Sequence, residues 1–140
     1  MKRICVIDGQ GGGIGTAIIK ALRKRFDEAI EIVALGTNAV ATAQMLRAGA
    51  NRGATGENPV VRMAAGVDLI LGPLSVTWPN AMMGEVTLSM AEAIMSSPAP
   101  KVLIPLHQEK VTIVGGSREP LPHLVEAMIN EYVKEVLGNV

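Results

Sequence analysis

Apolar residues fall in short blocks punctuated by glycine and proline, and two spacings take turns along the chain. Arg3–Ile7 is a run of strand formers stopped by Asp8-Gly9, which predicts a strand. From Ile14 the spacing becomes helical: Ile14, Ala17, Ile18, Ala21 and Leu22 share one face, and Lys20, Arg23 and Lys24 share the other. Arg23, Lys24 and Arg25 suit the negative end of that helix. Ile30–Leu35 is a second strand, and Asn38 caps a helix over Ala39–Ala48 that Gly49 stops. Ala50–Asn58 is polar and glycine-rich and reads as a loop, with a short helix starting at Pro59. Val67–Leu71 is a third strand ended by Gly72-Pro73, and a helix follows over about Ala81–Met95. Lys101–Leu106 is a fourth strand, in which Pro105 implies an edge or a bulge. Only His107–Lys110 separate it from Val111–Val114, too few for a crossover, so Val111–Val114 is expected as an antiparallel hairpin strand. A last helix over Leu121–Leu137 places Leu124, Met128, Tyr132 and Val136 on its apolar side.

Strands alternating with helices specify an α/β fold: a Rossmann-like three-layer sandwich around a mostly parallel, doubly wound sheet of about five strands. A chain of 140 residues fits a single Rossmann-like domain spanning 1–140. Apolar residues are 49% of the chain and aromatics 2%, so the core must be aliphatic, as in sheets covered on both faces. Thirteen basic residues balance 13 acidic ones, and with one Trp, one Tyr and one Phe no base-stacking basic surface can form. Nucleic acid is therefore excluded as a partner. The single cysteine, Cys5, lies inside the first strand and reads as a small core residue, which excludes a disulfide framework. No apolar run is long enough for a signal peptide or a membrane span, and a cytoplasmic location is expected. The eight methionines read mainly as fillers of aliphatic core gaps, with some facing a partner, and an apolar, charge-neutral domain of mean hydropathy +0.33 is expected to be a homo-oligomer, a dimer in the simplest case.

The strongest chemical signal is Asp8-Gly9-Gln10-Gly11-Gly12-Gly13-Ile14-Gly15, lodged between a strand and a helix. The first N–H groups of that helix lack intrahelical partners and point into the crevice at the carboxyl end of the sheet, where they can take an anion. Glycine leaves room for a phosphate and permits the left-handed backbone of a tight turn. The dinucleotide spacing G-x-G-x-x-G is not met, because Ile14 stands where its last glycine would fall. Gly9-x-x-x-Gly13-x-Gly15 does resemble the TGxxxGxG turn of short-chain dehydrogenases/reductases over roughly the first βαβ unit, with Asp8 in place of Thr. That resemblance implies NAD or NADP as cofactor. Two features depart from it: the only tyrosine, Tyr132, is followed at 136 by Val instead of the catalytic Lys, and the chain is too short for the family's full sheet. The acidic residue that grips an NAD ribose is also missing after the second strand, where Gly36-Thr37-Asn38 stands. Taken whole, the chain resembles an uncharacterised bacterial family, a domain of unknown function, whose mark is an N-terminal IDGQGGG turn, here Ile7–Gly13. That resemblance implies a Rossmann-like fold over nearly the full length and brings no established reaction.

The remaining candidates cluster at strand ends. Asp8 either holds the glycine loop by accepting its N–H groups or, beside a phosphate, takes Mg²⁺. Thr37 and Asn38 offer hydrogen bonds to a ribose or phosphate, or form an ordinary turn and helix cap. Gly72 and Ser75 follow the third strand at the crevice with Thr77, and Trp78 could stack on a flat ring or anchor a subunit contact. Arg52 is the best cationic clamp if the 50–58 loop folds back as a lid or reaches a neighbouring subunit. His107 stands at a strand's carboxyl end, as an acid–base group or an idle turn residue, whereas His123 looks incidental. No nucleophile–base pair and no metal-ligand spacing is legible. The expected function is binding of a nucleotide or dinucleotide phosphate at Gly9–Gly15, with Asp8, Thr37, Asn38, Gly72 and Ser75 around it. The alternatives are a small nucleotide-dependent oxidoreductase using His107, Asp8 or Ser75, and a structural, oligomeric domain without ligand.

Overall fold

The computed structural model describes residues 1–116 and 118–138. Five strands, β1 (Lys2–Asp8), β2 (Ile30–Gly36), β3 (Arg52–Thr55), β4 (Leu69–Pro73) and β5 (Lys101–Ile104), form one sheet in the order β3-β2-β1-β4-β5. Every pair is parallel, with Val6 beside Leu35's neighbour Ala34 on one side and Leu71 on the other. Successive side chains of β1 point to opposite faces, as the pleat requires. Ile4 and Val6 join the core under α1 (Gly13–Phe26), α2 (Ala39–Ala48) and the C-terminal helical segments. Cys5 and Ile7 join a second core under α3 (Glu57–Ala64) and α4 (Leu88–Ser96). Cys5 is fully buried, and that burial pushes its thiol well above the usual range. The fold class is thus α/β and doubly wound, with apolar strands enclosed on both sides.

Five local expectations are corrected. Residues 52–55 are an edge strand, not a loop, because their backbone completes a ladder to Val33–Gly36 while their side chains stay mostly exposed. Arg52 opens that strand at the end remote from the crevice and pairs with Glu31 at 2.6 Å, so the 50–58 segment supplies neither lid nor clamp. The helix expected from Ala81 starts at Leu88, where the Thr87 side chain caps it by accepting from Met90 N–H. Val111–Val114 pairs with no strand among the described residues: Pro105 ends β5 by removing an N–H, and the chain leaves the sheet as irregular structure. The last helix comprises α5 (Leu121–Ala127), a π-helical stretch (Met128–Val133) and α6 (Lys134–Leu137). Its buried stripe is Val125, Met128, Ile129, Val133 and Leu137, leaving Tyr132 and Val136 exposed. The apolar face lies one residue on from the one read in the sequence, and the wide π turn keeps a four-residue spacing facing the sheet. Among the described residues no helix is long and apolar enough to cross a membrane.

Candidate functional site

The strand order reverses between β1 and β4, whose connections leave for opposite faces and part at the carboxyl edge of the sheet. A cleft of about 550 Å³ opens there, within the size range of small-molecule sites. Its floor is the turn from Asp8 to Ile14, and its walls are Pro73, Ser75, Met82, Met83 and the segment Leu106–Glu109.

Asp8 organises the turn from below. It is almost completely buried; its Oδ1 accepts Gly9 N–H at 2.8 Å and its Oδ2 accepts Gly15 N–H at 2.7 Å. Burial raises its pKa above the ordinary carboxylate value, against the lowering effect of the Gly15 and Gly9 N–H groups. Gly12 N–H bonds back to Gly9 C=O at 2.9 Å, and Gly12 itself caps α1 in the left-handed region, φ 75°. A Cβ on Gly12 would stand 2.9 Å from Ala41 Cα, so only glycine lets α2 approach this closely. Gly9 and Gly15 are packed as tightly, against Thr37 and Met82 in one case and Met45 in the other. Gly11 and Gly13 differ: a Cβ on either would meet nothing within 4 Å. Their N–H groups bond to none of the described residues, and both residues line the cleft on either side of the Gly12 cap of α1.

Glu85 is the residue that motif reading missed. Its Oε1 accepts from Gln10 N–H at 2.8 Å, Thr37 Oγ1 at 2.6 Å and Asn38 Nδ2 at 2.8 Å. Burial raises its pKa, but the bonds from Thr37, Gln10 and Asn38 outweigh it and hold the carboxyl below its ordinary value. No motif marks it, since it lies in a stretch that reads as helix; the signals were Gly84 and the capping residue Thr87 just beyond. Thr37 and Asn38 are therefore committed: Asn38 also caps α2 through Ala41 N–H and donates to Gln10 C=O. They do not line the cleft, and neither do Gly15 and Gly72. Gly72 serves packing, because a Cβ there would lie 2.3 Å from Ile7 C=O. Asp8, Gly9, Gln10, Gly11, Gly12, Gly13, Ile14 and Ser75 are brought together.

The opposite wall is held by side chains. Glu109 Oε1 accepts Met82 N–H at 2.7 Å, tying the segment after β5 to the segment after β4. Asn80, Met82 and Met83 have positive φ, a local cost of the kind found at ligand sites. The Trp78 and His107 rings meet edge to face with centroids 4.8 Å apart. Among the described residues no cluster of His, Cys, Asp and Glu could hold a metal ion.

In the solved structures, a dodecameric FMN-dependent UbiX-like decarboxylase from Escherichia coli O157:H7 is similar over 96% of this chain and 92% of its own. The TM-score is 0.51 and the identity 13%, a likeness that shows the α/β fold. The expectation of NAD or NADP is corrected by it: the similar protein is FMN-dependent, and here the groups after β2 that would grip a ribose are taken up by Glu85. No curated protein matches the sequence. The match to Domain of unknown function (DUF3842) runs from residue 3 to residue 137, and the chain belongs to that family.

Proposed function

We propose that this protein binds flavin mononucleotide, or a flavin nucleotide of the same build, in the cleft between β1 and β4. The observation that carries this reading is the pair of unpartnered, sterically open N–H groups of Gly11 and Gly13 at the start of α1. A phosphate seated there is held by neutral donors and the positive end of the helix, with Gly9, Gln10, Gly12 and Ile14 shaping the cradle. Asp8 does not oppose it, because both its oxygens are engaged by the N–H groups of Gly9 and Gly15. The cleft extends from this turn to Ser75 and His107, which leaves space for the ring of the ligand. The FMN dependence of the protein with the same fold favours a flavin over other nucleotides.

The same reading includes self-association. The similar protein is dodecameric, and Met83 stands 94% exposed at the lip of this cleft, a large apolar side chain in want of cover. Native mass spectrometry with added FMN reads both features. Oligomers carrying one FMN per chain are expected, with riboflavin, which lacks the phosphate, bound far more weakly. A Cβ on Gly13 meets no neighbour, so Gly13→Val should leave the protein folded while its side chain obstructs the cradle and abolishes FMN binding. Equal retention of FMN by Gly13→Val, or equal binding of riboflavin, contradicts the phosphate assignment.

A further inference from the structure

We infer that His107 is the side chain that reads the ring edge of the bound ligand, through a hydrogen bond at Nε2; this rests on the flavin-nucleotide reading above. His107 is held in place from three directions. Pro105 ends β5 and turns the chain over the cleft, Glu109 pins the segment to Met82 N–H, and Trp78 fixes the plane of the imidazole. Such pre-organisation costs conformational freedom and is found where a side chain must meet a partner in one geometry. The ring's two nitrogens differ sharply. Nδ1 is buried and has no hydrogen-bond partner, while Nε2 bonds to none of the described residues and is the nitrogen left to the cleft that His107 lines.

A buried nitrogen without a partner is costly, and a fold keeps one where the geometry of the ring matters more than the local loss. Because Nδ1 has no accessible surface, a ligand in the cleft can meet the imidazole only at Nε2. Across the cleft lies the glycine turn, so a ligand with its phosphate on Gly11 and Gly13 carries its ring system toward His107. The matching chemistry is a flat heteroaromatic ring with hydrogen-bonding groups on its edge, as in the pyrimidine-like end of a flavin. Leu106, Met82 and Met83 supply apolar contact to the faces of such a ring. Among the residues lining the cleft there is no Lys or Arg; of the polar side chains in the wall facing the turn, Glu109 is tied to Met82 N–H, and His107 is the one with a rigid ring held against Trp78.

Three substitutions separate this role from simple packing. The Gln amide reaches the position of Nε2, the Asn amide that of Nδ1, and Phe retains the ring against Trp78 but carries no nitrogen. FMN affinity is measured by flavin fluorescence titration on wild type, His107→Gln, His107→Asn and His107→Phe, each first checked for an unchanged melting transition without ligand. Wild type is expected to bind, His107→Gln to stay within a few-fold, and His107→Asn and His107→Phe to weaken by about tenfold, the worth of one well-placed hydrogen bond. If wild type binds FMN but all three variants match it, or Gln falls as far as Phe, His107 is not the ring-edge contact and the flavin reading stands without it. If Asn alone retains affinity, the contact belongs to Nδ1 and the assignment is overturned. If wild type does not bind FMN, both readings fall together.

Discussion

Glu85 shows how one carboxylate can assemble a site that it does not itself line. A single oxygen gathers the glycine turn, through Gln10 N–H, and the end of β2, through Thr37 and Asn38. Hydrogen bonds to an ionised group are worth about 1.5–3 kcal/mol each at best, and less where water can replace them. Glu85→Ala should therefore lower stability by about 1–3 kcal/mol at neutral pH, measured by denaturant unfolding. The pH dependence has a definite sign. Because the folded carboxyl is held below its ordinary value, its contribution is present at neutral pH and is lost as pH falls through the carboxylate range. The gap between wild type and Glu85→Gln should accordingly narrow on acidification. Asp8 acts the other way, since its raised pKa favours the folded state as it protonates; burial is the main cause and is common to both proteins, while the smaller share due to the Glu85 charge is lost in Glu85→Gln. A gap that widens in acid would show that Glu85 is not ionised against these donors.

The turn from Asp8 to Gly15 contains two kinds of glycine, and they make opposite predictions as an element. Gly12 is left-handed and lies against the Ala41 backbone, so Gly12→Ala should cost at least about 2 kcal/mol in the free protein. Gly11 has open space and no strained backbone, so Gly11→Ala should fall within about 0.5 kcal/mol of wild type. Thermal unfolding of the two variants checks this directly; equal losses would mean that the turn is not built as described. At this scale the sequence was most informative where side chains are buried in a regular pattern. β1 and β2 were legible as unbroken apolar runs, Ile4–Ile7 and Ile32–Leu35, α1 from the helical spacing that buries Ile18 and Leu22, and α2 from its Asn38 cap and Gly49 stop. β3 was not, because Arg52–Thr55 is defined by backbone pairing to β2 and not by an apolar face. The stretch from Asn80 to Glu85 carries apolar, helix-compatible residues yet takes positive φ at four positions, held by long-range bonds such as Glu109 to Met82. Glu85 and Glu109 act across 75 and 27 residues respectively, a separation that periodicity does not register.

For the molecule as a whole, the parallel order β3-β2-β1-β4-β5 puts Asp8, Gly36, Pro73 and Ile104 at one edge, and the cleft follows from where the connections part. That much could be anticipated from the glycine turn and the strand–helix alternation. What the sequence concealed is which of the polar groups at that edge remain free. Thr37 and Asn38 look like ligand contacts by position but are consumed within the fold, whereas Gly11, Gly13 and His107 are left open to the cleft. The central claim is that the N–H groups of Gly11 and Gly13 receive the phosphate of a flavin nucleotide. The most direct test is a two-dimensional amide NMR titration of the ¹⁵N-labelled protein with FMN. The Gly11 and Gly13 resonances should shift most, while Gly9 and Gly15, already bonded to Asp8, shift less. Shifts confined to the outer faces of α3 and α4 or of β5, with Gly11 and Gly13 unmoved, would place the ligand elsewhere and contradict the account.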